Sequence, residues 1–205
     1  MEKVYKINSV KNPKVDTDYD AYCNEFDGKE IIGSNMIGVR DYDKPKMLYF
    51  TADFLSIPDS DFPFTDVSFP IISNRMFSIL KNVKQFDCDI IPVCMLDDSF
   101  IGNQFDRKGK LKEEVPSNCN YLALQFKSCE NVFDYSNSDF TKSLIFPEKV
   151  GTIKRLVLKV PKDGFKPLFK IKEAMEYVFV SEKAKQALEL NNIKGCAFEE
   201  IETLT

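Results

Sequence analysis

The chain has 205 residues, 43% hydrophobic and 29% charged, which suits one domain with an attached lobe and a core that needs no metal or disulfide staple. With 28 basic against 32 acidic side chains, net −4, it lacks the basic face by which nucleic-acid binders displace counterions. The absence of His excludes His-dependent triads and most zinc chemistry, while 18 Phe and 8 Tyr supply the apolar area that a disordered chain lacks.

The segment from Met1 to Ile7 has no apolar run of a secretory signal, and no stretch approaches the roughly 20 apolar residues of a membrane span. A cytoplasmic chain with no membrane contact is therefore expected. Six cysteines stand at Cys23, Cys88, Cys94, Cys119, Cys129 and Cys196, with no C-x-x-C pair. Size and the missing signal lead to the expectation that all six are reduced thiols, acting as small buried hydrophobes.

Lys3 to Val10 alternates loosely and reads as a first strand. Asp16 to Asp27 is acidic and aromatic; Gly28, Gly33 and Gly38 then punctuate a region of turns. Met47 to Phe50 reads as a strand, and the prolines from Pro58 to Pro70 mark an irregular connection. Ser73 is a helix N-cap, followed at helical spacing by Met76, Phe77, Ile79, Leu80 and Val83. Asp89 to Leu96 is an apolar strand, and Asp97 to Asn118 a long exposed loop or hairpin. In Tyr121 to Phe126, Tyr121, Ala123 and Gln125 form a wet face and Leu122, Leu124 and Phe126 a dry one.

Thr152 to Val160 reads as one strand, Leu168 to Ile171 and Tyr177 to Val180 as two more, and Lys172 to Glu176 as a helical turn. Ser181 caps a second helix carrying Ala184, Ala187, Leu188 and Leu190, and Ile193 to Ile201 is the closing strand. The passage from an apolar segment through a capping Ser into a helix thus occurs twice, at Ser73 and at Ser181. Strands outnumber helices, so the expected class is α+β, a mostly antiparallel or mixed sheet with a few short helices. The expected division is an acidic strand-and-loop lobe over 1–68, packed on an α+β domain over 69–205.

No phosphate-binding glycine loop and no G-x-S-x-G elbow occurs. The doublets Asp97-Asp98, Glu113-Glu114 and Glu199-Glu200 are poor paired acids, because neighbours on an extended chain point to opposite sides. Arg75, in the first turn of its helix, opposes the helix dipole and calls for a carboxylate partner, Asp53 or Asp66. Charge is uneven: residues 1–68 hold 8 basic and 13 acidic side chains, net −5. Acids interleaved with aromatics suit docking of a basic protein, the rings as anchors and the carboxylates for steering.

Seven segments in order resemble one family. They are Thr51-Ala52-Asp53-Phe54-Leu55, Phe69-Pro70-Ile71-Ile72-Ser73-Asn74-Arg75, Ile90-Ile91-Pro92-Val93 and Asn131-Val132-Phe133-Asp134-Tyr135-Ser136. Pro167-Leu168-Phe169-Lys170, Val178-Phe179-Val180-Ser181-Glu182 and Ile193-Lys194-Gly195-Cys196-Ala197-Phe198 complete the series. Together they resemble bacterial immunity proteins of polymorphic toxin systems, a former domain of unknown function first noted in a myxobacterial protein. Asn74, and Lys194 and Cys196 about Gly195, depart from the family's usual pattern.

The resemblance implies a non-enzymatic protein that binds and neutralises a cognate toxin protein in the cytoplasm, with no cofactor, metal, nucleic acid or membrane partner. The residues expected at that interface are Asp16, Asp18, Tyr19, Asp20, Tyr22, Glu25, Phe26 and Asp27, with Asp97, Asp98 and Arg107 from the 97–114 loop. The alternatives are a carboxylate-based hydrolase, with or without Mg²⁺, and a non-enzymatic scaffold.

Overall fold

Short strands dominate the computed structural model, which describes residues 2–24 and 45–204. In chain order they are β1 (Val4–Ser9), β2 (Ala21–Cys23), β3 (Leu48–Ala52) and β4 (Ile71–Ser73), then helix α1 (Asn74–Val83). β5 (Cys88–Asp97), β6 (Ser117–Phe126), β7 (Asp139–Lys142), β8 (Val150–Arg155), β9 (Val157–Lys159), β10 (Leu168–Phe169) and β11 (Val178–Ser181) follow. Helix α2 (Glu182–Leu190) and β12 (Cys196–Leu204) close the chain. The class is α+β with mixed sheets, as the sequence predicts.

Two five-stranded sheets run in the orders β10-β11-β1-β12-β9 and β2-β3-β5-β6-β4, with β7-β8 as a separate hairpin. The two large sheets repeat one arrangement. β4 leads through α1 to β5, both antiparallel to β6 between them, and β5 pairs in parallel with β3. β11 leads through α2 to β12, both antiparallel to β1 between them, and β12 pairs in parallel with β9. The N-terminal strand β1 therefore fills in the first sheet the place that β6 fills in the second. Each half is a split β-α-β unit, a parallel pair with one strand inserted.

The serines start both units as the sequence predicts. Ser73 Oγ accepts from the Met76 N–H at 3.0 Å, and Ser181 Oγ from the Ala184 N–H at 3.4 Å. Ser73→Ala is expected to cost about 1–2 kcal/mol, read as a lower urea midpoint. Ser78→Ala, whose hydroxyl bonds only the Asn74 carbonyl within the helix, is expected to move the midpoint far less.

Met76 and Leu80 on α1, and Ala184 and Leu188 on α2, are fully buried one helical turn apart. The helices pack on each other and on one face of each sheet, making the central core with Ile72, Leu124, Tyr5 and Val180. Strand alternation sends neighbouring residues to the outer cores: Ile71 and Ala123 to the far side of the second sheet, Val4 and Phe179 to the far side of the first.

Several expectations need correction. The face of β6 carrying Tyr121, Ala123 and Gln125 is dry, because the β6 face away from the helices is covered in turn by the segment around Ile57, whose carbonyl takes the Tyr121 hydroxyl. Thr152 to Val160 is not one strand: β8 pairs with β7 and β9 with β12, and the chain changes sheet at Leu156. Asp97 to Asn118 is largely exposed, as expected, with an antiparallel bridge between Phe105 and Leu111, but Phe105, Leu111 and Val115 pin it on Cys94 and Leu96.

The partner of Arg75 is Asp61, not Asp53 or Asp66. Asp61 receives Arg75 Nη2 at 2.7 Å and Nε at 3.2 Å, the Ser73 hydroxyl at 2.6 Å and the Lys194 N–H at 3.0 Å. Arg75 also donates to the Asn191 and Asn192 carbonyls, at 3.2 and 3.3 Å. One carboxylate thus ties the start of α1 to the turn between α2 and β12, a link across 133 residues that local spacing does not encode.

Not all cysteines are free. The register of β5 against β6 shifts between Val93 and Met95, and this bulge sets Cys94 against Cys119 in a disulfide with Cα atoms 4.0 Å apart. Reasoning from size and compartment cannot see which thiols a bulge brings together. Titration of the denatured, unreduced protein is expected to find the four thiols of Cys23, Cys88, Cys129 and Cys196. Six thiols would show the pair to be open.

Candidate functional site

The site is built at one end of the second sheet. Ala21 of β2 pairs with Ala52 of β3, and Ala52 with Asp97 of β5. With adjacent strands about 4.8 Å apart, this row brings the segments entering β2 and leaving β5 to within roughly 10 Å of each other. The segment after β3, Asp53-Phe54-Leu55, emerges between them.

Two Asp-initiated turns then do the same thing. Asp53 accepts from the Leu55 N–H at 2.8 Å and from the Ser56 hydroxyl, turning the chain into a 3₁₀ turn and leaving Leu55 93% exposed. Asp97 accepts from the Ser99 N–H at 2.9 Å and the Ser99 hydroxyl at 2.6 Å, starting a second 3₁₀ turn after which Ile101 is 73% exposed. Asp side chains favour such turns because they bond backbone two residues on. Each turn sets one aliphatic side chain in water beside its carboxylate.

The carboxylates feel one another. Burial, then the charges of Asp53 and Asp97, pushes the Asp98 carboxyl above its ordinary value. The Ser56 hydroxyl and the Leu55 N–H hold Asp53 below its own. Among the described residues no cation forms a salt bridge with Asp53, Asp97 or Asp98, so this end presents net negative charge around two apolar side chains. The oxygens of Asp53 and Asp97 are engaged in their own turns rather than converging on a shared point. Among the described residues no three His, Cys, Asp or Glu side chains are grouped so as to hold a metal ion.

Beside this end, Asp16 and Asp18 are exposed. The half-buried Tyr19 stacks on Phe64 at 5.0 Å and meets Tyr22 edge-on at 5.4 Å, and the Tyr22 hydroxyl accepts from the Asp18 N–H at 3.1 Å. Asp20 does not belong to the surface: it is 3% exposed and accepts from the Asn12 N–H at 2.7 Å and the Phe64 N–H at 2.9 Å. The chain bends just before β2, and the two backbone N–H groups hold the Asp20 carboxylate inward, where it fastens the start of β2 to the segment at Phe64. Glu25, Phe26 and Asp27 lie outside the described residues.

Arg107 is exposed on the 106–109 turn at the far end of its loop, and no described contact joins it to the carboxylates. The loop is held instead by Gln104, buried against Thr51 with Nε2 donating to Oγ1 at 3.0 Å. Of the residues expected at the interface, Asp16, Asp18 and Asp98 are exposed and Asp97 is half-buried, while the exposed Leu55 and Ile101 are not among them. Their signal is present in retrospect: Asp53-Phe54-Leu55-Ser56 and Asp97-Asp98-Ser99-Phe100-Ile101 both open on an Asp turn and hold an aliphatic residue that ends exposed.

Other groups offer less. Burial raises all four free thiols, Cys23 to about 12 and Cys196 to about 11, which keeps them protonated and poorly nucleophilic. In the cleft of about 280 Å³ between Asn12 and Gly195, Asp59 is ion-paired to Lys194, as it is to Lys14 nearby. Among the described residues no helix is long and apolar enough to cross a membrane. The chain matches no protein-family model and no curated protein sequence.

Proposed function

We propose that this chain is an immunity protein, which binds and neutralises a toxin protein inside the cell without catalysing a reaction. The observation that carries the reading is the pair of exposed aliphatic residues, Leu55 and Ile101, set among Asp53, Asp97 and Asp98 at one end of one sheet. A few apolar anchors supply most of the energy of a protein interface, and a charged rim sets the rate and the choice of partner. Tyr19 and Tyr22, held by Phe64 and by each other, extend the apolar area at low entropic cost. The resemblance from residue 51 onward to toxin-neutralising proteins points the same way.

The toxin surface that fits is basic with apolar hollows, the charge expected of a toxin that acts on nucleic acid. Calorimetric titration with the toxin encoded beside this gene is the test. Leu55→Ala combined with Ile101→Ala is expected to raise Kd by about tenfold or more with the melting temperature unchanged. Equal affinity in the double variant would remove this surface from the interface, and no binding by the wild-type chain would overturn the immunity reading.

A further inference from the structure

The hairpin β7–β8 carries a second, different surface. Its connecting segment holds Leu144, Ile145 and Phe146, which are 100%, 79% and 50% exposed. Three consecutive large apolar residues in water are rare on a folded chain and mark a contact surface.

The exposure is built, not slack. At the base of the hairpin Phe140, Val150 and Ile153 pack into the outer core of the first sheet, where the Phe140 ring meets Phe133 edge-on at 5.5 Å. The tip is closed by the Ser143 N–H donating to the Lys149 carbonyl at 3.0 Å. Within it Phe146 N–H donates to Ser143 Oγ at 3.2 Å, and Lys149 N–H to the Phe146 carbonyl at 2.8 Å. At the neck a Cβ on Gly151 would lie 2.9 Å from the Lys142 carbonyl oxygen, so the glycine permits the close approach of the two arms.

Charge around the tip runs against that of the chain. Residues 139–155 hold four basic side chains, Lys142, Lys149, Lys154 and Arg155, and two acidic ones, in a chain of net −4. The three lysines are exposed, and Lys149 Nζ sits 4.4 Å from the centre of the Phe146 ring. Arg155 is engaged by Glu202 at 2.6 Å.

We infer that this tip docks on an anionic lipid surface, with Leu144, Ile145 and Phe146 entering the headgroup–acyl boundary and Lys142, Lys149 and Lys154 meeting the headgroup charges. A convex apolar tip needs a matching groove on a protein, whereas a bilayer yields around it. A single small apolar anchor binds a membrane only marginally, and a basic flank supplies the second signal. Both are present here within 17 residues of chain. The tip stands on a different hairpin from the Leu55 and Ile101 surface, and the inference does not depend on the toxin reading.

The experiment is sedimentation of the full chain with phosphatidylcholine vesicles, with and without about 30% phosphatidylserine. Binding is expected to the anionic vesicles, about tenfold or more tighter than to neutral ones, and to weaken as salt rises. Leu144→Asp with Ile145→Asp, and separately Lys142→Glu with Lys149→Glu, are each expected to lower it by about tenfold with unchanged melting. Failure of the wild-type chain to sediment with anionic vesicles, or equal binding by the variants, would overturn the inference. So would tip-dependent dimerisation, or tip-dependent toxin binding, in a chain that leaves vesicles untouched; these would assign the tip to a second copy or to a protein.

Discussion

Gly195→Ala is expected to destabilise the protein by about 2–5 kcal/mol. Gly195 has a φ of +80°, a region costly for any residue with a Cβ. The added Cβ would also run into Ser60 Oγ and lie 3.1 Å from the Phe62 carbonyl oxygen. The Phe62 contact is with backbone, which cannot rotate aside as a hydroxyl can. Gly102 supplies the control: its φ is +77°, but nothing lies within 4 Å of an added Cβ. Gly102→Ala is therefore expected to cost only the conformational part, about 1–2 kcal/mol. Adding Ser60→Gly to Gly195→Ala is expected to recover part of the loss. Equal urea midpoints for the Gly195 and Gly102 variants would show that the close approach carries no weight.

Asp61→Ala is the second large effect, with an expected loss of about 2–4 kcal/mol. Asp61 is 8% exposed, and its removal strands the Ser73 hydroxyl, the Lys194 N–H and the guanidinium of Arg75. Arg75 keeps 54% of its side chain in water, which tempers the cost of leaving it unpaired. The pH dependence follows from the same contacts. Burial alone would raise the Asp61 carboxyl, but the bonds from Arg75, Ser73 and the Lys194 N–H outweigh it and hold the group below its ordinary value. A depressed folded value means that the stabilisation is full above the unfolded pKa of about 3.9 and is lost as pH falls through the folded value. Wild-type stability is accordingly expected to drop more steeply than that of Asp61→Asn below about pH 4. Parallel curves for the two proteins would remove Asp61 from the acid response.

What could be read in the sequence is what local chemistry determines. The serine caps and the i, i+4 pairs on both helices act within a few residues, and they appear where the spacing puts them. The recurrence at Ser73 and Ser181 is matched by two sheets with the same strand arrangement, which the sequence hints at only through the caps. What was missed is set by pairings between distant segments. Nothing near Arg75 distinguishes Asp61 from Asp53 or Asp66, because the choice is made by the turn at Lys194. Tyr121 sits on a face that alternation marks as wet, and its hydroxyl reaches the Ile57 and Ser60 carbonyls some 60 residues earlier. Asp20 looks like its neighbours Asp16 and Asp18 until the backbone N–H groups of Asn12 and Phe64 close on it.

The acidic end was legible in outline for the same reason. Composition shows that the first 68 residues carry net −5, but not that β3 sets Asp53 between the segments that carry Asp18 and Asp97. Leu55 and Ile101 are single aliphatic residues in polar turns, and only the fold shows that both are exposed just beyond the paired ends of β3 and β5.

The most direct measurement of the central claim is the association rate with the toxin encoded beside this gene, followed as ionic strength is raised. For the wild-type chain the rate is expected to fall several-fold from low salt to about 0.15 M, where charges further apart than about 8 Å are screened. For a chain with Asp16, Asp18, Asp53 and Asp98 changed to Lys, association is expected to be slower at low salt and to lose this decline. Equal rates for the two proteins at every ionic strength would contradict the assignment of this acidic end as the surface that meets the toxin.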